Sequence, residues 1–265
     1  MAQRFDGSNF HVDDLGSGPA VVLFHGMPSP PSDFEALVQA LLPHRRVLVP
    51  HFPGYGRTPP APGPVSSAET LARLETRLAD LGVERAAAVA FSAGAYQAVA
   101  LALGGRVALE RMVLLAPVVG FDPPLAEAYR DMAAAAASGA YDPRPSWLER
   151  MANAGFAVRD PAGAARVVAW LDAVPLATLC GELLALANAT DLRPRLGTLR
   201  VPTLVLSGTG DNAVAPALAA EVARALPLGT FRAIEGAGHA LLVEAPARTV
   251  ELIAGFLLGS DGTRP

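Results

Sequence analysis

Short apolar runs recur along the chain at Ala20–Phe24, Val47–Val49, Ala86–Phe91, Met112–Ala116, Thr203–Leu206 and Thr230–Ile234. Each is too short for a stable helix, and most are bounded by Gly or Pro, which predicts buried strands. Helical patterns lie between them. Ser32–Leu42 opens with Ser32 and Glu35 at capping-box spacing, and Ser66–Leu81 opens with Ser66 and Glu69 in the same way. Gly82 then supplies a C-terminal stop. Strand and helix in alternation predict an α/β fold built on a mostly parallel sheet.

The alternation breaks between Val118 and Leu199. Alanine-rich helical patterns fill this region at Leu125–Ser138, Trp147–Ala154, Ala162–Leu171 and Leu176–Ala189, and Asp-Pro pairs at Asp122, Asp142 and Asp160 read as turns. An all-helical insertion between two strands of a parallel sheet predicts a cap over the sheet's C-terminal edge. The expected division is a core of residues 1–117 and 200–265 and a helical cap of residues 118–199.

One stretch has two readings. Ala86–Gly105 runs twenty residues without a charge, the length of a membrane-crossing helix. Its local chemistry instead predicts a strand (Ala86–Phe91), a sharp turn at Ser92 and a buried helix (Ala93–Leu103). That places a hydroxyl at the tip of a strand-to-helix turn, where it can act as a nucleophile.

Composition narrows the chemistry. Hydrophobic residues make up 51% of the 265 and charged ones 17%, a globular balance with room for a large core. A net charge of −4 argues against a nucleic-acid or anionic-membrane surface. All 21 basic residues are arginine, which removes lysine Schiff-base chemistry and the lysine of a phosphate loop. The lone Cys180 excludes an internal disulfide and a cysteine-rich metal site, and reads as a buried small hydrophobe. The N-terminal MAQRFDGSNFHVDD lacks the apolar core of a signal peptide, so cytoplasmic residence without a membrane partner is expected.

In a parallel sheet, ligands gather where the strands end. The residues that follow the predicted strands include His25-Gly26-Met27-Pro28, the loop His51–Thr58, Ser92-Ala93-Gly94, Ser207–Asp211 and Glu235–His239. A serine needs a base to take its proton; an imidazole does so near neutral pH, and a carboxylate fixes that imidazole's tautomer. Ser92, His239 and Asp211 fit these roles. Small residues at Ala90, Ala93, Gly94 and Ala95 let strand and helix approach closely. The N–H groups of Met27 and Ala93 are the candidate donors to a developing oxyanion.

With these residues assembled, the chain resembles the α/β-hydrolase superfamily over nearly all its length. The elbow pattern G-x-S-x-G appears as Ala90-Phe91-Ser92-Ala93-Gly94, the oxyanion loop as His25-Gly26-Met27, and the acid and histidine signatures as Gly208-x-x-Asp211 and Gly238-His239, followed by Glu244-x-Pro246. The resemblance implies an α/β-hydrolase fold with the helical cap inserted after the sixth strand. Two departures stand out: Ala90 replaces the first elbow glycine, and His51 stands where the family more often has aspartate.

The roles this implies are nucleophile Ser92, base His239, acid Asp211 and oxyanion donors Met27 and Ala93, acting on a small-molecule substrate with neither metal nor organic cofactor. Asp122, just past strand Met112–Ala116, competes with Asp211 as the acid, although its two following prolines suit a turn. His25, Phe91 and Trp170 are candidate substrate contacts. His25 reads first as a brace for the oxyanion loop, and for the cap aromatics Trp147, Phe156 and Trp170 core packing is preferred to substrate contact. His51 either lines the cavity or is a loop residue, while His11 and His44 read as solvated. The expected activity is hydrolysis of a fairly hydrophobic carboxylic ester through an acyl-enzyme. The alternatives are a C–C hydrolase of diketone-type substrates, a cofactor-free haloperoxidase or perhydrolase, and a non-catalytic ligand binder on the same fold.

Overall fold

The computed structural model describes residues 9–61, 63–146 and 156–259. Trp147 and the helical pattern Trp147–Ala154 lie outside the described residues. Seven strands, β1 (Val12–Gly16), β2 (Ala20–Phe24), β3 (Arg46–Pro50), β4 (Arg85–Phe91), β5 (Ala108–Leu115), β6 (Thr203–Gly208) and β7 (Gly229–Ile234), form one sheet in the order β1-β3-β2-β4-β5-β6-β7. Only β1 runs antiparallel, against β3. The remaining pairs are parallel.

Period-two alternation splits the strand residues between two cores. Val22, Phe24, Ala88, Ala90, Met112 and Leu114 face one side. Val21, Leu23, Val89, Phe91, Val113 and Leu115 face the other. Both faces being covered is why β4 is continuously apolar and free of charge from Ala86 to Phe91. Helices α2 (Ser67–Asp80) and α3 (Gly94–Gly104) pack on the first face; α1 (Glu35–Leu41) and the C-terminal α10 (Pro246–Leu258) pack on the second. The apolar stretch Ala86–Gly105 is therefore the central strand, the turn and a core helix. Among the described residues no single helix is long and apolar enough to cross a membrane.

Capping chemistry sets the helix starts. Ser66 and Glu69 make the expected capping box on α2, and Gly82 ends that segment at φ +69°. Ser32 makes no such box: Pro31–Phe34 forms a 3-10 turn, and α1 begins at Glu35 without a side-chain cap. Asp122 and Asp160, expected as turns, instead cap helices α4 (Pro123–Ala137) and α6 (Pro161–Ala173) by accepting from Leu125 N and Gly163 N, each ahead of a proline that suits the first helical turn.

The helical segment between β5 and β6 contains α4, α5 (Phe156–Arg159), α6 and α7 (Leu176–Ala187). It leaves after the fifth strand of the described sheet and not the sixth, because only β1 precedes the β2 strand that carries the His25 loop. Its two ends meet where Leu192 N donates to Val119 O at 3.0 Å. α4 packs against α7, α8 (Pro216–Ala225) lies against β6 and β7, and Phe156, Val167 and Trp170 pack against Ala240 and Val243 at α9 (Leu241–Glu244).

Candidate active site

The turn after β4 is built for close approach. Ser92 sits at φ +50°, a left-handed conformation that costs a non-glycine residue roughly 1–2 kcal/mol. Neighbouring elements hold it there: Ser92 N donates to Leu115 O at 2.8 Å, and Val118 N and Ala95 N both donate to Ser92 O. A Cβ on Gly94 would come within 2.5 Å of Phe24 O and His25 O. One on Gly26 would press on Phe91 and Ser92. These two glycines let the loop after β2 lie against the elbow. Ala90 is fully buried, its methyl absorbed into the core.

Two loops from the C-terminal third of the chain converge on Ser92. His239 Nε2 lies 3.1 Å from Ser92 Oγ, and His239 Nδ1 lies 2.9 Å from Asp211 Oδ2. Asp211 Oδ1 accepts from the N–H groups of Ala213 and Val214, both at 2.8 Å. A carboxylate facing Nδ1 places the ring proton there, which leaves Nε2 to accept from the serine hydroxyl. Gly208 permits this meeting, since a Cβ there would come within 2.3 Å of Ala237 O and Gly238 O. Asp122 makes no such contact and is engaged as the cap of α4.

A cavity of about 340 Å³ opens over these groups, lined by Met27, Ser92, Ala93, Val118, Tyr129 and His239 among others. Among the described residues no acceptor occupies the N–H of Met27 or of Ala93.

The loop that carries His239 is clamped by one side chain. Glu244 accepts from Gly238 N at 2.8 Å through Oε2 and from Ala240 N at 3.2 Å through Oε1. Glu244→Gln puts an amide donor against one of those N–H groups and should loosen the imidazole. The expected result is a fall in kcat of about tenfold with KM little changed, measured on a neutral ester. An unchanged kcat, or a change confined to KM, would count against this positioning role.

The other candidate contacts lie elsewhere. Phe91 is buried behind the site with its ring 5.0 Å from that of His239, and Trp170 packs with Phe156 and Val167. Neither lines the cavity over Ser92. His25 does not line it either: its Nε2 accepts from Phe52 N, its Nδ1 faces Gly26 O, and burial pushes its pKa down to about 4. It is a neutral brace. His51 lines no part of that cavity; its Nδ1 accepts from Arg57 N at 2.9 Å and its Nε2 donates to Asp13. His11, expected as solvated, is half-buried against Asp13 and His51. These three side chains cluster as metal ligands would, but the Arg57 N–H fixes the His51 proton on the nitrogen that faces Asp13, so that lone pair is not free.

A partly buried pair went unforeseen. Tyr55 and Glu182 are hydrogen-bonded side chain to side chain, and Tyr55 packs against His25. The signal was present in the sequence: Glu182 is the lone charge in the apolar run LATLCGELLALA of α7.

Burial pushes the Glu182 carboxyl up to about 8 and that of Asp33 up to about 7. The folded chain therefore keeps protons that the unfolded chain releases, and their contribution to stability is lost as pH rises through those values. His25 has the opposite sign, its contribution being lost as pH falls from 6.5 toward 4. Above about pH 6.5 only the acids of these three contribute, so the Tm should fall by several degrees between about pH 6.5 and 8.5. Glu182→Gln should flatten that slope in a thermal melt series; an unaltered slope would remove Glu182 as its cause.

The comparisons with known proteins bear on this arrangement. The model of the alpha/beta hydrolase family matches residues 21–252. The chain belongs to the alpha/beta hydrolase family. As an alpha/beta hydrolase it is an enzyme, and it shares 29% identity with a pimeloyl-[acyl-carrier protein] methyl ester esterase of Xanthomonas campestris pv. campestris, over 93% of this chain and 98% of that one. It is 30% identical over 86% of its length to polyketide synthase ThaQ of Burkholderia thailandensis, of which it spans only 11%. Among solved structures, a thermophilic esterase from Thermogutta terrifontis superposes on this alpha/beta hydrolase with a TM-score of 0.87 at 25% identity, covering 94% of this chain and 93% of that one.

Proposed function

We propose that this alpha/beta hydrolase is a serine esterase that cleaves a small to medium, uncharged and mainly apolar carboxylic ester through Ser92, His239 and Asp211. The observation that carries this reading is the unbroken hydrogen-bonded series from Asp211 through His239 to Ser92 beneath an open cavity. Ser92 Oγ attacks the acyl carbon while His239 Nε2 takes the hydroxyl proton. The carbonyl oxygen becomes an oxyanion held by the N–H groups of Met27 and Ala93. As the C–O bond breaks, His239 gives its proton to the departing alkoxide. Water then attacks the acyl-enzyme along the same route, releasing the acid and restoring the serine.

Residues 118–199 act in this reading as a cap over a core of residues 1–117 and 200–265, with Val118, Val119 and Tyr129 contributing to the cavity wall. The full-length relative and the structural neighbour named above are both described as esterases, which favours an ester over a diketone or a peracid. The free N–H pair and the paired serine favour turnover over simple binding. The test is reaction with a fluorophosphonate probe and turnover of a p-nitrophenyl ester panel. Covalent labelling at Ser92 with ester turnover is expected; absence of both would leave a binding protein.

A further inference from the structure

A second chamber of about 630 Å³ adjoins the first, with Ala93 and Leu186 lining both. Its walls come from Pro60, Ala61 and residues 63–65 and from α3, α4 and α7. Thr178 on α7 is seated against Gly54, where a Cβ would come within 2.5 Å of its methyl, so α7 lies tightly on the loop after β3.

Two polar side chains on this wall have hydrogen-bonding capacity left over. Gln97, only 8% exposed, donates from Nε2 to Ser67 O at 3.2 Å. Turning its amide would set one carbonyl oxygen against another, so Oε1 remains an acceptor, and it is buried without a partner. Among the described residues Glu182 receives one side-chain hydrogen bond, from Tyr55 on Oε2. Burial pushes this carboxyl up to about 8, which favours the protonated acid, a group that can both donate and accept.

Among the described residues the wall carries no arginine, the chain has no lysine, and His25, which also lines the chamber, is neutral. A carboxylate or phosphate entering here would lose water and find no cation.

We propose that this chamber receives one arm of the substrate, and that this arm is an uncharged chain carrying a hydroxyl or amide donor recognised by Glu182 and Gln97. The ester at its other end rests on the serine-esterase reading above; the chamber's preference does not.

Two isosteric ester pairs test it by pH-stat: methyl heptanoate against methyl 6-hydroxyhexanoate, and hexyl acetate against 5-hydroxypentyl acetate. In one pair the hydroxyl-tipped ester should be preferred by about tenfold in kcat/KM, and monomethyl adipate, tipped with a carboxylate, should be rejected. Glu182→Gln should keep the preference, while Glu182→Leu and Gln97→Leu should each reduce it severalfold. Turnover without preference in either pair, or a preference that survives both leucine variants, would overturn the proposal and leave the esterase reading intact. Cys180, the single cysteine, lines the same chamber and reports occupancy without chemistry at Ser92. In Ser92→Ala protein, 5-hydroxypentyl acetate or methyl 6-hydroxyhexanoate should slow alkylation of Cys180 by iodoacetamide more than its methyl-tipped isostere does. Equal rates would overturn the proposal even if no ester were turned over.

Discussion

Ser92→Ala should lower kcat/KM on p-nitrophenyl esters by about 10⁴-fold or more and abolish fluorophosphonate labelling, with the fold intact. The variant removes one oxygen and keeps the Cβ that φ +50° already accommodates, so the backbone contacts of the elbow are unaffected. What disappears is the atom 3.1 Å from His239 Nε2. Without it the imidazole has no proton to accept, and the acyl carbon has no attacking group in place. Met27 and Ala93, the proposed oxyanion donors, still line the cavity, so residual catalysis above the rate in water and a KM within a few-fold of wild type are expected. The Tm should be unchanged within a few degrees, which separates lost chemistry from lost structure. Turnover retained by the folded variant would move the nucleophile elsewhere.

Much of this geometry could be read in advance because it is local. The strands were marked by apolar runs between Gly and Pro, and Ser92, Asp211 and His239 each follow such a run. β1 was not marked, since the pattern Val-Asp-Asp-Leu-Gly belongs to an edge strand with one buried residue, where Asp14 faces solvent and pairs with Arg46. The box expected at Ser32 failed because Pro31 imposes a tighter turn ahead of α1. The roles of His25 and His51 depended on where the loop after β3 folds back, which no spacing reveals. The second chamber was the least visible part. Gln97 is one polar residue on a buried helix, and Glu182 meets Tyr55 across 127 positions of chain. Side chains brought together over such distances leave only indirect traces, such as a single charge in an apolar helix.

The competition between Asp211 and Asp122 yields the other large effect. Asp211→Asn should reduce kcat by about 10⁴-fold, while Asp122→Asn should leave it within about twofold. The reason lies on the far side of the Asp211 carboxylate. Ala213 N and Val214 N both donate to Oδ1, so an asparagine must keep its oxygen there. Its amide nitrogen then faces His239 Nδ1 and donates to it, driving the ring proton to Nε2. Nε2 becomes a donor toward Ser92 and can no longer take the hydroxyl proton. Binding of neutral esters and the melting temperature should change little, because the side chain keeps its shape. Asp122 only accepts from Leu125 N at the start of α4, a task asparagine performs about as well. Asp122→Ala should cost about 1 kcal/mol of stability through the lost cap. Loss of activity confined to the Asp122 variant would reverse the assignment, since the cap of α4 would then have to reach His239 in the working enzyme.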